Sequence, residues 1–495
     1  MKGEGSGCAN CLKVDCDEKN VAIVIFCLNL SLRSRERTAP RIMLIRFSVE
    51  NFLSFGAKAE FSAVATREMH HRERTYKAPI EGLRLLPVAA FYGANASGKS
   101  NLFKALKFVQ SLVVTGTAPG AQIPVKPFRL DPERLQQPSR FAVEFLAEGR
   151  SYLYEFSVTT TAVVDESLIE KGATTDMEIF RRSMNSAGES VFEFGSHAAS
   201  KEKIQFLRFV GMGTRSNQLF LHEALDHNVQ ELKDVVEWFA WVLVLISPND
   251  IHNTLAVDLH RQEDLMGFCN TAIQRIGAGI DLIKTEFTDL ESTALPLQLK
   301  ARIQSSAQEA KIMTVRSPKG KRYYITKVNG EIKVAKLASY HRNSVGTLVR
   351  FEIEEESDGT QRVLDLLPMI RGVGDVGCEH VVFIDELDRS LHSMLTRMLI
   401  ESYLEARTKE SKAQIFFTTH DATLLEADLL RRDEVWLIDK NDAGETAFAS
   451  LSDFDLRSDK KLMRDYMLGR FGGIPKLRPI RWNVSPGLEK KTSRK

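Results

Sequence analysis

The sequence contains few cysteines, six in 495 residues. Four of them precede residue 30, while Cys269 and Cys378 stand alone, so the pattern predicts no disulfide framework. Cys8 and Cys11 have the spacing of half a zinc site, but no histidine lies near them and no second pair follows. A zinc site there is the weaker interpretation. We expect residues 1–42 to form a disordered N-terminal extension.

The sequence also lacks a long apolar run and a large net charge. The longest run, residues 21–32, is interrupted by Asn29 and is too short to span a bilayer. No clear small-residue cleavage site marks it as a secretion signal. We therefore expect a protein of the reducing cytoplasm with no membrane partner. The net charge is +2, so binding to nucleic acid would need a local basic patch rather than an overall field.

One stretch organises the rest of the chain. Gly93, Gly98, Lys99 and Ser100 match the phosphate-binding pattern G-x-x-x-x-G-K-[ST] between an apolar run and an amphipathic helix. The glycines let backbone N–H groups cradle phosphates. Lys99 can reach the β- and γ-phosphates, and the Ser100 hydroxyl can bind Mg²⁺. A chance match in an ordinary strand–turn–helix is disfavoured by the flanking elements. The predicted nucleotide-binding residues here are Gly93, Ala94, Asn95, Ala96, Ser97, Gly98, Lys99, Ser100 and Asn101.

Two further apolar runs end in polar residues. Residues 381–384 lead into Asp385 and Glu386, and residues 415–419 lead into His420. Ligands of open α/β sheets bind at the carboxyl ends of the strands. Asp385 can hold Mg²⁺, Glu386 can act as general base towards the attacking water, and His420 can hydrogen-bond a γ-phosphate or that water. The alternative for His420 is an ordinary surface histidine whose hydrogen bonds are satisfied and which has no catalytic role.

A second candidate anion site lies between these motifs. Ser357, Gly359 and the start of a helix combine a hydroxyl, a glycine and a helix N-terminus. On this stretch alone, an ordinary helix cap is the better interpretation. A phosphate bound there need not belong to the nucleotide held by the glycine-rich loop of the same chain.

The order of these motifs resembles that of ABC-type ATPases of the SMC-like and OLD-like branch. In that family the motifs are called Walker A, signature, Walker B, D-loop and switch histidine. They correspond here to Gly93–Ser100, Ser357–Gln361, Asp385–Glu386, Asp388 and His420. Other segments are similar to bacterial AAA/ABC-like ATPases of phage-defence loci, of AbiL and RloA type. These segments are 43–55, 127–131, 386–392, 432–436 and 466–475.

The resemblance implies an α/β P-loop NTPase of ABC-head type that hydrolyses ATP with Mg²⁺. It implies a head-to-tail homodimer around two ATP molecules, in which Ser357, Gly359 and Gln361 of one subunit meet the nucleotide held by Lys99 of the other. Asp388 would lie at that interface. A higher oligomer stays open, and Gln136 and Gln137 are both candidates for the Q-loop glutamine.

The resemblance also implies a partner effector, typically a nuclease encoded nearby in an anti-phage locus. Three alternatives remain: an OLD-type nuclease, a DNA-repair ATPase and a transporter subunit. Too few residues follow His420 for a TOPRIM domain, and the large insertion disfavours a transporter. DNA repair would need a basic groove, and the basic C-terminus is better explained as a solvated tail.

Composition and periodicity divide the chain after its N-terminal extension. We expect an N-terminal ATPase part with a β lobe over 43–200, a helical insertion over 201–297, a C-terminal ATPase part over 298–475 and a basic tail over 476–495. Because a strand pattern begins at Met43, we expect the functional protein to start there.

The aromatic residues between the motifs have two possible roles. An aromatic ring could stack on adenine, but Phe52 and Phe55 are expected in the core. Trp238, Phe239 and Trp241 occur at helical spacing, which favours core packing or a partner surface over a cofactor site.

Overall fold

The computed structural model describes residues 12–16, 21–25, 42–195, 201–306, 313–316, 321–374, 380–408, 411–426, 429–455 and 462–474. Its strands are β1 (Leu12–Cys16), β2 (Val21–Ile25), β3 (Met43–Glu50), β4 (Ala59–Ser62), β5 (Tyr76–Lys77), β6 (Arg84–Leu85), β7 (Val88–Gly93), β8 (Ser139–Ala147), β9 (Arg150–Val158), β10 (Val163–Lys171), β11 (Met177–Met184), β12 (Ser190–Phe194), β13 (Leu243–Ile246), β14 (Leu282–Asp289), β15 (Met313–Arg316), β16 (Arg322–Val328), β17 (Glu331–Arg342), β18 (Leu348–Glu352), β19 (Val381–Ile384), β20 (Gln414–Thr419), β21 (Val435–Lys440) and β22 (Thr446–Ser450).

The helices of the described residues lie between groups of these strands, and this mixed structure confirms the predicted α/β class. They are α1 (Lys99–Val114), α2 (Lys201–Gly213), α3 (Phe220–Asp226), α4 (Lys233–Glu237), α5 (Leu255–Arg261), α6 (Glu263–Ile276), α7 (Leu297–Ser306), α8 (Asp358–Gly374), α9 (Ser393–Ala406) and α10 (Leu462–Met467). In the part of the chain that the structure describes, none of them combines the length and apolar character needed to cross a membrane.

The central sheet carries the motif-bearing strands in the order β13-β19-β20-β7-β21-β22. The pairs from β13 to β21 are parallel, and β22 closes the edge antiparallel to β21. All six residues of β7 are buried, as a parallel strand covered on both faces requires. Helix α1 packs through Leu102, Leu106 and Val109, which are fully or almost fully buried. The carboxyl ends of β7, β19 and β20 therefore lie at one edge of the sheet.

A second, antiparallel sheet has the order β12-β11-β10-β9-β8-β3-β4. It packs on the central sheet through aromatic side chains. The Phe61 ring of β4 lies 5.0 Å from Phe91 and 5.2 Å from Trp436, both edge-to-face, an arrangement that aromatic pairs prefer. Phe52 and Phe55 belong to this core and are 4% and 0% exposed, which confirms that they are core residues.

A third sheet contains β1-β2-β15-β16-β17-β14, with β18 paired to β17. The expectation of disorder over residues 1–42 is wrong for β1 and β2, because Val21–Ile25 is an apolar, β-branched segment that pairs with β15. Cys8 and Cys11 lie outside the described residues.

The segment predicted as a helical insertion, residues 201–297, contains five of the helices but is not purely helical. It also contains β13, which pairs with β19 in the central sheet, and β14, which pairs with β17. The helical prediction is wrong for Leu243–Ile246, because periodicity cannot distinguish a four-residue apolar run in a strand from the same run in a buried helix. Just before β13, Trp238 and Phe239 are buried.

Candidate functional site

The glycine-rich loop joins the end of β7 to the start of α1. Ala96 and Gly98 have φ values of +66° and +115°, both in the left-handed region. A Cβ atom on Gly98 would lie 2.3 Å from Thr446 Oγ1, so no larger residue fits without a shift. Since α1 begins at Lys99, the loop also carries the N-terminal N–H groups of a helix. This is a backbone arrangement suited to an anion.

Lys99 is folded back onto this loop. Its ammonium donates hydrogen bonds to Gly93 O (2.7 Å) and Ala94 O (3.1 Å), and the residue is only 6% exposed. Burial lowers the pKa of Lys99 to about 8, although nearby carboxylates, Asp385 first among them, act in the opposite direction. A phosphate beside Lys99 would supply the negative charge that stabilises the ammonium.

The two predicted Mg²⁺ ligands come together although 285 residues separate them. Ser100 Oγ lies 3.3 Å from Asp385 Oδ1. Thr418 Oγ1, on the neighbouring strand β20, donates to the same carboxylate oxygen at 2.7 Å and accepts a hydrogen bond from Glu386 N at 2.7 Å. Thr418 is fully buried, so it fixes both acidic residues to β20. Sequence reasoning did not assign this role to Thr418, because the role depends on the pairing of β19 with β20.

Glu386 and His420 lie at the ends of these two strands. Glu386 has a φ of +52°, a strained left-handed backbone that clusters at functional sites. Asp388 Oδ2 accepts a hydrogen bond from His420 N at 3.1 Å, which ties the segment after β19 to the end of β20. Burial and the neighbouring Lys99 ammonium lower the pKa of His420. The imidazole is therefore mainly neutral at pH 7.

Ser357 and Gly359 lie in a separate place, at the N-terminus of α8. Ser357 Oγ accepts a hydrogen bond from Thr360 N at 3.1 Å, which is the geometry of a helix cap. A Cβ atom on Gly359 would lie 2.6 Å from Ser390 O, so this segment packs against the residues that follow Asp388. These contacts are to its own helix and to the segment that follows Asp388.

The two candidate Q-loop residues, Gln136 and Gln137, are exposed and lie at the end of a short 3₁₀ helix beside Asn51. Asn51 Nδ2 donates to the Gln137 carbonyl at 2.9 Å. The assignment of the Q-loop glutamine stays a prediction.

Two residues that the sequence did not point to support the P-loop from behind. Thr446 Oγ1 donates to Ser97 O at 2.7 Å, and Asn101 Nδ2 donates to Ser54 Oγ at 2.8 Å. Ser54 O in turn accepts from Thr446 N at 2.7 Å. The edge strand β22 and the turn after β3 thus hold the loop in place. Only their position in the folded chain identifies them.

A cavity of about 580 Å³ adjoins this support. Ser54 and Asn101 line it on the side of the P-loop. Its other walls are Gly444, apolar side chains and three cationic ones: Leu53, Pro127, Phe128, Leu130, Leu135, Lys126, Arg129 and Lys440. The mixture suits a flat, partly apolar group attached to an anion.

The parallel sheet, the glycine-rich loop and the acidic residues on the second strand along from it define a P-loop NTPase. The profile of a protein family described as "AAA domain, putative AbiEii toxin, Type IV TA system" matches residues 88–426, from the start of β7 to beyond His420. The chain belongs to this family.

One solved structure that the chain is similar to is the "Crystal structure of the SmcHead bound to the C-winged helix domain of ScpA". The TM-score is 0.34 at 11% sequence identity, over 83% of this chain and 99% of the other. A comparison with curated proteins finds no match.

Proposed function

We propose that this protein is a Mg²⁺-dependent ATPase that converts ATP and water to ADP and phosphate, and that its state of assembly depends on ATP. One observation carries the catalytic part. Ser100 and Asp385 lie 3.3 Å apart beside Lys99, and Thr418 anchors both Asp385 and Glu386. The residues needed to bind phosphates, hold a metal ion and activate water are thus fixed at one edge of the central sheet.

The residues fit the two groups that this function needs. A hydroxyl and a carboxylate are hard oxygen ligands of the kind Mg²⁺ prefers, and the loop presents backbone N–H groups to phosphates. Bound Mg²⁺ would neutralise charge on the β- and γ-phosphate oxygens. Glu386 accepts the proton of the attacking water, while His420 orients that water or the γ-phosphate. Lys99 holds the phosphates by charge.

We assign the cavity beside the P-loop to the nucleobase. It opens next to Asn101, at the start of α1, and so lies where a base attached to phosphates in the loop can reach. Leu53 and Phe128 offer apolar contacts for the ring. Lys126 and Lys440 offer positive charge for the polar parts of the nucleotide.

We further propose that two copies of the chain close head-to-tail around ATP. Support comes from Ser357 and Gly359, whose contacts lie within their own helix and the D-loop. In a head-to-tail pair this segment would face the P-loop of a second copy. Asp388, which accepts a hydrogen bond from His420 N, would then lie at the interface and connect it to His420 at the catalytic edge of the sheet.

Finally, we propose that this switch acts in the cytoplasm on a partner effector, a nuclease encoded nearby, in anti-phage defence of the AbiL or RloA type. The description of the family names a putative toxin of a type IV toxin–antitoxin system, which is compatible with such a role. The segments at both ends of the sequence that resemble phage-defence ATPases are the further support.

The test uses Glu386→Gln and Lys99→Ala. Glu386→Gln should bind ATP with parental affinity, hydrolyse it at least about a hundredfold more slowly because the general base is lost, and double its native mass when ATP and Mg²⁺ are present. Lys99→Ala should lose ATP binding. Parental turnover by Glu386→Gln contradicts the assignment of the base, and an unchanged mass contradicts the dimer. Cleavage of DNA or RNA by the purified chain would favour a nuclease over a switch.

A further inference from the structure

Glu356, the residue immediately before the signature serine, is held from β17. Its Oε1 atom accepts hydrogen bonds from His341 Nε2, at 2.7 Å, and from Ser339 Oγ. The two donors are alternate residues of one strand and so project from the same face. Ser339 is fully buried and the Glu356 side chain is 10% exposed. A sheltered carboxylate with two donors forms strong, charge-assisted hydrogen bonds.

The backbone of Glu356 is joined to the signature itself. Its carbonyl oxygen accepts a hydrogen bond from Gln361 Nε2 at 2.9 Å, and Ser357 O accepts from Gln361 N at 3.0 Å. The side chain of Gln361 is thus engaged with the residue before the signature, although the sequence predicted it as a nucleotide contact. Glu356 therefore links β17 at one end to the first turn of α8 at the other.

The opposite side of the signature is also fixed. Because a Cβ atom on Gly359 would lie 2.6 Å from Ser390 O, the loop has no room to move towards the D-loop. On the other side, the contact with β17 holds the loop. His341, which makes that contact, also packs edge-to-face on the Phe351 ring of β18 at 4.9 Å, so the side chain that binds Glu356 is itself held by β18.

We propose that Glu356 is a positioning residue that fixes the signature loop against β17, and that closure of two copies around ATP depends on it. The second half of this statement rests on the proposed function. The carboxylate binds Ser339 and His341 and acts through Ser357 and Gly359. Loss of the contact leaves the P-loop intact and allows the loop that should meet the second copy to drift. A misplacement of about 1 Å can cost about a hundredfold in rate.

The first experiment needs no ATP. Hydrogen exchange of the amides in residues 357–362 is measured by mass spectrometry for the parent and for Glu356→Ala. We expect exchange there to be at least about tenfold faster in the variant, the lower limit that follows from loss of a hydrogen bond to a charged group. Glu356→Gln, which keeps an acceptor oxygen, should restore the protection. His341→Asn removes one of the two donors to Glu356. It should speed exchange in the same direction but by a smaller factor, because Ser339 Oγ still donates, and it tests the contact if Glu356→Ala does not fold.

The matched control is Glu286→Ala. Glu286 is a carboxylate of the same sheet that binds Arg350 and Tyr340 instead of the signature loop. Its loss should leave exchange in residues 357–362 at the parental rate. Equal exchange in Glu356→Ala, His341→Asn and the parent would overturn the proposal.

The second experiment measures assembly and turnover. In the Glu386→Gln background, Glu356→Ala should raise the protein concentration needed for the ATP-dependent doubling of mass by at least about tenfold. With Glu386 intact, it should lower kcat by about tenfold to a hundredfold, while the affinity of the monomer for ATP stays parental. If Glu386→Gln alone does not assemble, the proposed dimer is wrong, but hydrogen exchange and kcat still test the positioning role of Glu356. Parental assembly and kcat in Glu356→Ala would overturn its role in closure.

Discussion

Replacing Thr418 by valine removes one hydroxyl group and leaves the shape of a fully buried side chain nearly unchanged. The hydroxyl donates to Asp385 and accepts from the backbone of Glu386, both at 2.7 Å. A hydrogen bond to a charged group contributes about 1.5–3 kcal/mol, and a buried N–H left unpaired costs about 1–3 kcal/mol. We therefore expect Thr418→Val to lower the free energy of unfolding by roughly 2.5–6 kcal/mol. Because both acidic residues lose their anchor, kcat should fall by about a hundredfold.

The matched control is Thr418→Ser, which keeps the hydroxyl and loses only a methyl group. It should cost about 1 kcal/mol of stability and retain kcat within a few-fold of the parent. Denaturant unfolding gives the stabilities, and phosphate release gives the rates. If the valine and serine variants lost the same stability and the same activity, the hydroxyl of Thr418 would not be the anchor of the two acidic residues.

Three further predictions concern the P-loop and the core. Gly98→Ala should weaken binding of a fluorescent ATP analogue by more than about tenfold, since it combines left-handed strain with the contact to Thr446; Gly120→Ala has the same sign of φ in open space and should bind normally. At pH 8, Lys99 with its pKa of about 8 is half protonated, so ATP binding should take up about half a proton. The binding enthalpy should then depend on the ionisation enthalpy of the buffer, and equal enthalpies in all buffers would contradict this. Burial raises the pKa of Glu434 from 4.5 to about 8. Between these two pH values the folded chain holds a proton on Glu434 that the unfolded chain has lost, so the free energy of unfolding should fall as pH rises from 5 to 8. Glu434→Gln should remove this slope in urea titrations, and an unchanged slope would rule out Glu434 as its source.

The P-loop end of the site could be predicted because its residues are neighbours in the sequence. Gly93 to Ser100 form one local turn whose glycines and lysine have fixed roles. Asp385 could be predicted because it directly follows a buried strand, and parallel strands present their carboxyl ends together. The fold then brings Asp385 to 3.3 Å from Ser100.

The supporting residues could not be predicted, because their roles arise from strand pairing between distant segments. Thr418 is an unremarkable polar residue until β20 lies beside β19. Thr446 and Ser54 meet behind the P-loop only because β22 closes the sheet. Leu243–Ile246 is too short for its periodicity to separate a strand from a helix.

The order of strands in the central sheet also governs when the nucleotide site can form during synthesis. Strand β7 leaves the ribosome early, but its two neighbours in the sheet are β20 and β21. The residues of these strands that pair with β7 begin at Ile415 and Val435. A nascent chain of 400 residues therefore carries the complete P-loop sequence with neither adjacent strand. Such distant pairing is slow and exposes apolar strands in the meantime. A chain that ends before residue 438 should therefore fail to fold the P-loop, even though it contains every residue of the motif.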